Sequence, residues 1–203
     1  MTKTTYISID VATRSLAIGA YKMKSFKSFT HMEDAIDFNE YMNSIIVPIK
    51  MSVYDINDGQ KTKDTSIVAK ATSLKETLNS FDESVQGHVA ENTIVLVEYQ
   101  MNANHGANAI FNMIMYHYAG KYRIEVVKPS WKNTIALHPL LTLSSFLGKC
   151  SSNYIANKQH TKHNMIYLLT MIDKMHMIEG IAKKNQDDIA DTLMQCLAYH
   201  KNN

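Results

Sequence analysis

Four acidic side chains, remote from one another along the chain, stand at positions where a carboxylate calls for a chemical reason. Asp10 ends the apolar run YISI, Glu98 ends the run TIVLV, and Asp188 and Asp191 lie three apart in the C-terminal segment NQDDIADTLMQ. On a helix, residues three apart share a face, so Asp188 and Asp191 aim at one spot while Asp187 is turned about 100° away. A carboxylate at the end of a buried strand is costly unless something pairs with it. If the first strand and the TIVLV strand are parallel neighbours, Asp10 and Glu98 sit about 4.8 Å apart across the ladder. Carboxylates that close repel unless cations hold them. Oxygen donors without cysteine or clustered histidine suit magnesium or manganese better than zinc. Two such ions roughly 3.5–4 Å apart would clamp the attacking and leaving oxygens of an in-line phosphodiester hydrolysis. Plainer uses stay open at this point. Asp10 could open a turn, and Asp187 and Asp188 could favour the helix dipole behind an Asn185 N-cap. Asp191 lies too far into the helix for capping to explain it.

The elements that must position these groups follow from the hydrophobic pattern. YISI and the run Leu16 to Tyr21, broken at Thr13, Arg14 and Ser15, predict a hairpin. A third strand falls within Ile45 to Ile56, where Pro48 argues for an edge strand, a bulge or a later start. The stretch Met32 to Met42 fits either a short helix or a long turn. DGQKTKD, from Asp58 to Asp64, is loop-like, and Ile67, Ala71, Leu74, Leu78 and Phe81 recur at helical spacing over about four turns. TIVLV reads as a strand buried on both faces. Ala109, Met113, Tyr116 and His117 mark a second helix with Gly120 as its C-cap, and Arg123 to Val127 a further strand. A helix is expected to begin at Trp131 to Ile135, another spans Lys162 to Lys174, and the last starts near Gln186. On that last helix Ala190, Leu193, Met194 and Leu197 form the apolar stripe that would dock it on a sheet.

Composition narrows the class. At 203 residues, 45% hydrophobic and 20% charged, with 7 Gly and 3 Pro, the chain can bury one core and has no stretch fit to span a membrane. MTKTTYISID shows no secretory leader, so an intracellular location is expected. Cys150 and Cys196 lack metal-ligand spacing and are expected to be reduced thiols. The net charge of +2 is unevenly spread: residues 121–172 hold seven Lys and Arg against Glu125 alone, while residues 1–120 hold ten basic and thirteen acidic residues. Segregated cations suit a phosphate-backbone contact surface, and also a plain solvated face. His105, His117, His138, His160 and His163 are dispersed and receive no role beyond a phosphate contact open to His160 or His163. The 13 methionines read as core filler.

Three of these segments resemble one family. YISIDVATRSLAIG resembles the first hairpin of the RuvC-type Holliday junction resolvases, IVLVEYQ their central strand with its Glu-x-Gln ending, and NQDDIADTLMQ their terminal Asp-x-x-Asp helix. The poxvirus-type members carry a closely similar Asp-Asp-x-Ala-Asp form. The anchors span residues 6–199. The chain departs at Val11-Ala12-Thr13, which lacks the glycine many members have after the aspartate. It departs again at Met101, where the bacterial branch has an aromatic wedge. Three strands, then alternating helix and strand, then a terminal helix is also the element order of the RNase H-like fold.

The resemblance implies an α/β RNase H-like domain over residues 1–203, with a central mixed five-stranded sheet flanked by helices. It implies that Asp10, Glu98, Asp188 and Asp191 are catalytic and ligate two Mg²⁺ ions, with Mn²⁺ as an alternative, and that Asp187 stands outside them. It implies a homodimeric, structure-selective endodeoxyribonuclease acting on branched double-stranded DNA in recombination, repair or viral concatemer processing. For a viral protein the setting would be the host cytoplasm or nucleus. Lys158 and Lys162, in NKQHTKHN, stand where the family places lysines near the scissile phosphate, and Lys132 and Gln100 are expected as further DNA contacts. Three rivals remain: another RNase H-like nuclease acting on flaps, hybrids or transposon ends; a non-catalytic DNA-binding module; and an ATPase-like or sugar-kinase-like domain. The last lacks a glycine-rich phosphate loop in this sequence.

Overall fold

The computed structural model describes residues 3–24, 45–61, 64–99, 105–135, 137, 146–147 and 149–203. The expectations for 32–42, for Gln100, Met101 and His138, and for residues 141–145 and 148 of the stretch 141–154 lie outside these residues. Within them run β1 (Thr4–Val11), β2 (Ser15–Met23), β3 (Ile46–Asp55), α1 (Ile67–Val85), β4 (Ile94–Glu98), α2 (His105–Tyr118), β5 (Arg123–Val127), a 3₁₀ segment (Pro129–Thr134), α3 (Asn153–Met171) and α4 (Gln186–Asn202). The sheet order is β3-β2-β1-β4-β5. β1 pairs antiparallel with β2 and parallel with β4, β2 antiparallel with β3, and β4 parallel with β5. This is the mixed five-stranded α/β sheet that the sequence led us to expect.

Strand side chains alternate between faces, and here the alternation sorts chemistry from scaffold. Ile7, Ile9, Val95 and Val97 join the core beneath α1 and α2. Tyr6 and Leu96 join the opposite core, beneath α3 and α4. Asp10 has the parity of Tyr6, and Glu98 that of Leu96. Both acids therefore face the side that the C-terminal helix covers.

Local sequence explains most boundaries. Pro48 sits on edge strand β3, where a missing N–H is tolerated, and the β2–β3 register slips beside it, pairing Ala20 with Lys50 but Tyr21 with Pro48. Ser66 caps α1 through the Ala69 N–H. Gly120 takes φ +77°, the left-handed conformation that ends α2. Thr93 belongs to the turn before β4, where its hydroxyl accepts from the Ala90 N–H, so the strand starts one residue later than its apolar run.

Two expectations are corrected. Trp131 to Ile135 starts no α-helix; the segment is a 3₁₀ turn led by Pro129. α3 begins at Asn153, nine residues before the expected Lys162, with Ser152 as N-cap. Its buried face carries His160, Thr161 and Asn164 at core spacing, and those polar residues hid the helical period. Asn164 accepts from the Leu137 N–H at 2.8 Å and donates to the Ile135 carbonyl at 3.2 Å. A polar side chain thus pins the backbone beyond the 3₁₀ turn.

Burial disfavours the charged form of two histidines. His160 accepts from the Asn164 amide, and burial, then the neighbouring His163, lower its pKa. Burial also lowers that of His200, against the Lys24 carbonyl to which it is hydrogen-bonded. A group with a depressed cationic pKa contributes stability that is complete above its ordinary value of 6.5 and is lost as pH falls below it. In urea titrations, the stability of wild type relative to His200→Gln should therefore fall between pH 7 and 5.5. A constant difference would show that His200 does not titrate on unfolding.

Candidate active site

Because β1, β4 and β5 are parallel, their C-terminal ends emerge at one edge of the sheet, where open α/β sheets place their sites. Ile9 pairs with Val97, so the next residue on each strand, Asp10 and Glu98, leaves the ladder side by side. The 3₁₀ turn that follows β5 brings Lys132 to the same edge.

α4 delivers the other two acids. Ile189, Ala190, Leu193, Met194 and Leu197 are fully buried against the sheet, each such large side chain contributing about 1.5–3 kcal/mol. The helix rotation is fixed by Tyr21, whose hydroxyl lies 2.8 Å from Thr192 Oγ1 in the core. Thr192 gives its own proton to the Ile189 carbonyl, so Tyr21 is the donor. This places Asp191, at 1% exposure, beneath the strand ends. Asp188, one turn earlier, accepts from Ser15 Oγ at 3.4 Å. Asn185 is the N-cap residue but makes no side-chain cap, and Asp187 and Asp188 stand in the first turn, where the helix dipole favours acids.

Two lysines stand among these acids. Lys132 Nζ donates to Glu98 Oε2 at 2.7 Å and to Asp191 Oδ2 at 2.6 Å. Lys158 Nζ, from α3, donates to Asp191 Oδ2 at 2.8 Å and to Asp188 Oδ1 at 3.0 Å, and lies 3.9 Å from Asp187. Burial opposes both lysine charges, but the surrounding carboxylates outweigh it and raise both pKa values. Asp10 is pushed up to about 8, first by burial, then by Glu98 and Asp191, with Lys132 and Lys158 pulling the other way. A cavity of about 290 Å³ opens here, lined by Glu98, Lys132, Lys158 and Asp191 together with Asn133, Tyr154 and Asn157.

The four predicted acids thus share one electrostatic site, bridged by two ammonium groups. Among the described residues no three metal-ligating side chains are spaced around one point as an ion requires. Lys158, expected near the scissile phosphate, and Lys132, expected as a further DNA contact, both lie inside the carboxylate cluster. Lys162 is apart from it, donating to the Lys183 carbonyl at 2.9 Å. His160 is 1% exposed, which removes it as a phosphate contact; Phe146 packs between it and His163. Ser15, Asn133 and Tyr154 were not singled out from the sequence. The one usable signal was topological: whatever follows β1, β4 and β5 must emerge at one edge.

No protein-family model matches the chain, and no curated protein does. Solved structures do. The fowlpox virus Holliday junction resolvase aligns with a TM-score of 0.56 at 14% identity, covering 98% of each chain. The fowlpox virus resolvase in complex with substrate Holliday junction DNA aligns at 0.56 and 13%, over 98% of this chain and 97% of that one. RuvC of Thermus thermophilus aligns at 0.54 and 8%, over 98% and 96%. Among the described residues no helix is long and apolar enough to cross a membrane. The chain has the α/β RNase H-like fold of RuvC and the fowlpox virus resolvase, matched from one end to the other.

Proposed function

We propose that this chain is a structure-selective endodeoxyribonuclease that resolves four-way DNA junctions, in recombination or viral concatemer processing, by hydrolysis with two Mg²⁺ or Mn²⁺ ions per site. One observation carries it: Glu98 and Asp191 line one cavity, Asp10 couples electrostatically to both and Asp188 shares Lys158 with Asp191, on a fold that matches two resolvases along nearly the whole chain.

The donors fit hard divalent ions. They are carboxylate oxygens, and Asp191 Oδ1 is buried with no hydrogen-bond partner, a state that costs about 1–3 kcal/mol and favours an added ligand. Such ions, when bound, supply neutralisation of the scissile phosphate and a more acidic water. Asp10, Glu98, Asp188 and Asp191 would hold them. Lys132 and Lys158 keep positive charge in the cavity where a phosphate must enter, and Tyr154 stands over its mouth at 69% exposure. A homodimer would present two such sites to opposed strands of a symmetric junction.

With Mg²⁺, purified protein should cut a mobile four-way junction into duplexes carrying paired, ligatable nicks. Equal cutting of linear duplex or of an RNA–DNA hybrid would assign it to another RNase H-like nuclease, and binding without cutting to a DNA-binding module. Lys162→Ala should weaken junction binding across sequences and lower the slope of log K against log salt by about one. An unchanged slope in a fluorescence-anisotropy salt series would show that this lysine meets no phosphate.

A further inference from the structure

The position of the two ammonium groups has a consequence for metal loading. Glu98 and Asp191 share Lys132, and Asp188 and Asp191 share Lys158. Each nitrogen thus lies between carboxylate oxygens, where a divalent ion would have to make its own bonds. The lysine side chains are 13% and 17% exposed and Asp191 1%. At such burial a carboxylate cluster without counter-charge is strongly unfavourable, and removing one partner of a buried ion pair is more damaging than replacing both. The ammonium groups therefore hold the acids together, and they also obstruct the ion. We propose that Lys132 and Lys158 are internal counter-cations that assemble the carboxylate cluster before metal arrives and compete with the divalent ion for Glu98, Asp188 and Asp191. Both lysines line the same cavity as Glu98 and Asp191, so their charge, once released, stays within reach of a substrate phosphate. The inference rests on the metal-site reading above and adds an exchange step to it.

The competition is read without DNA or turnover. Isothermal titration of the full-length protein with MgCl₂ is run on wild type, Lys132→Gln, Lys158→Gln and the control Lys162→Gln, alongside thermal melts in EDTA and in Mg²⁺. Each Lys132 and Lys158 variant should bind Mg²⁺ about ten-fold more tightly than wild type, the scale of one partly screened charge at contact, and should melt lower in EDTA with a larger gain on adding Mg²⁺. Lys162→Gln should match wild type. Equal or weaker Mg²⁺ binding by both cluster variants would overturn the competition while leaving the metal site intact. Failure of wild type itself to bind Mg²⁺ would instead sink the metal-site reading. Should the variants not fold, the wild type still decides the matter by NMR of its lysine ammonium groups. Two solvent-protected NH₃⁺ resonances in EDTA should be lost or displaced as Mg²⁺ is added, and their persistence unchanged at saturation would rule out displacement.

Discussion

Asp10→Asn and Glu98→Gln should each slow junction cleavage by on the order of 10³-fold or more, the effect of losing several kcal/mol of transition-state charge stabilisation. Junction affinity should stay within about three-fold. Each change keeps the side chain's shape and removes a carboxylate from the parallel strand ends that hold both residues. Metal-free stability should not fall for Asp10→Asn. Burial first, then the neighbouring Glu98 and Asp191, push the Asp10 pKa up to about 8, so ionising Asp10 is a burden to the fold without metal. The stability lost is the increment that Mg²⁺ adds. Single-turnover cleavage, binding in Ca²⁺ and melts with and without Mg²⁺ separate these effects. Full activity in either variant would remove that residue from the metal site, and a collapse of metal-free stability would recast Asp10 as structural.

Gly19→Ala should cost about 3 kcal/mol or more of stability and lower cleavage more than binding. Gly19 and Tyr21 share a face of β2, and the Tyr21 ring folds back over the glycine to reach Thr192 on α4. A Cβ at position 19 would fall within that ring, against its hydroxyl and Cζ. The ring is fully buried, so it has no free space into which to move, and overpacking of a core aromatic is penalised at about this level. Tyr21 also fixes the helix that carries Asp188 and Asp191, so moving it disturbs both acids. Tyr21→Phe keeps the ring, loses one buried hydrogen bond, and should cost about 1 kcal/mol. The two sites touch, so the double variant Gly19→Ala/Tyr21→Leu should be less destabilised than the sum of the single changes. Additive losses in chemical denaturation would show that Gly19 serves another purpose.

The acids were legible because each breaks a pattern that apolar residues establish. Glu98 closes the apolar run IVLV, Asp10 closes YISI, and Asp188 and Asp191 flank Ile189 and Ala190 on a helix that is buried from Ile189 to Tyr199. Strand parity then decides which sheet face they occupy, and parallel pairing of β1 with β4 puts them at one edge. Residue patterning alone shows the lysines only as charge; the resemblance adds that Lys158 stands near the scissile phosphate and that Lys132 meets DNA. Lys132 lies in a 3₁₀ turn and Lys158 on a helix whose buried face carries His160, Thr161 and Asn164, and neither segment shows a period from which side-chain direction can be read. Their entry into the carboxylate cluster depends on how α3 packs against α4 and the 3₁₀ turn, a tertiary fact that local sequence does not encode. The same holds for Tyr21. A buried strand tyrosine is common, but its contact with Thr192 requires knowing that α4 covers that face and that Gly19 leaves room beneath the ring.

The central claim is that the four carboxylates capture divalent ions in common. Crystals grown or soaked with Mn²⁺ test it directly through anomalous difference density. Two peaks are expected between Asp10, Glu98, Asp188 and Asp191, with Lys132 and Lys158 swung off the oxygens they now share. Density that stays absent at saturating Mn²⁺, or that settles away from Glu98 and Asp191, would contradict the account.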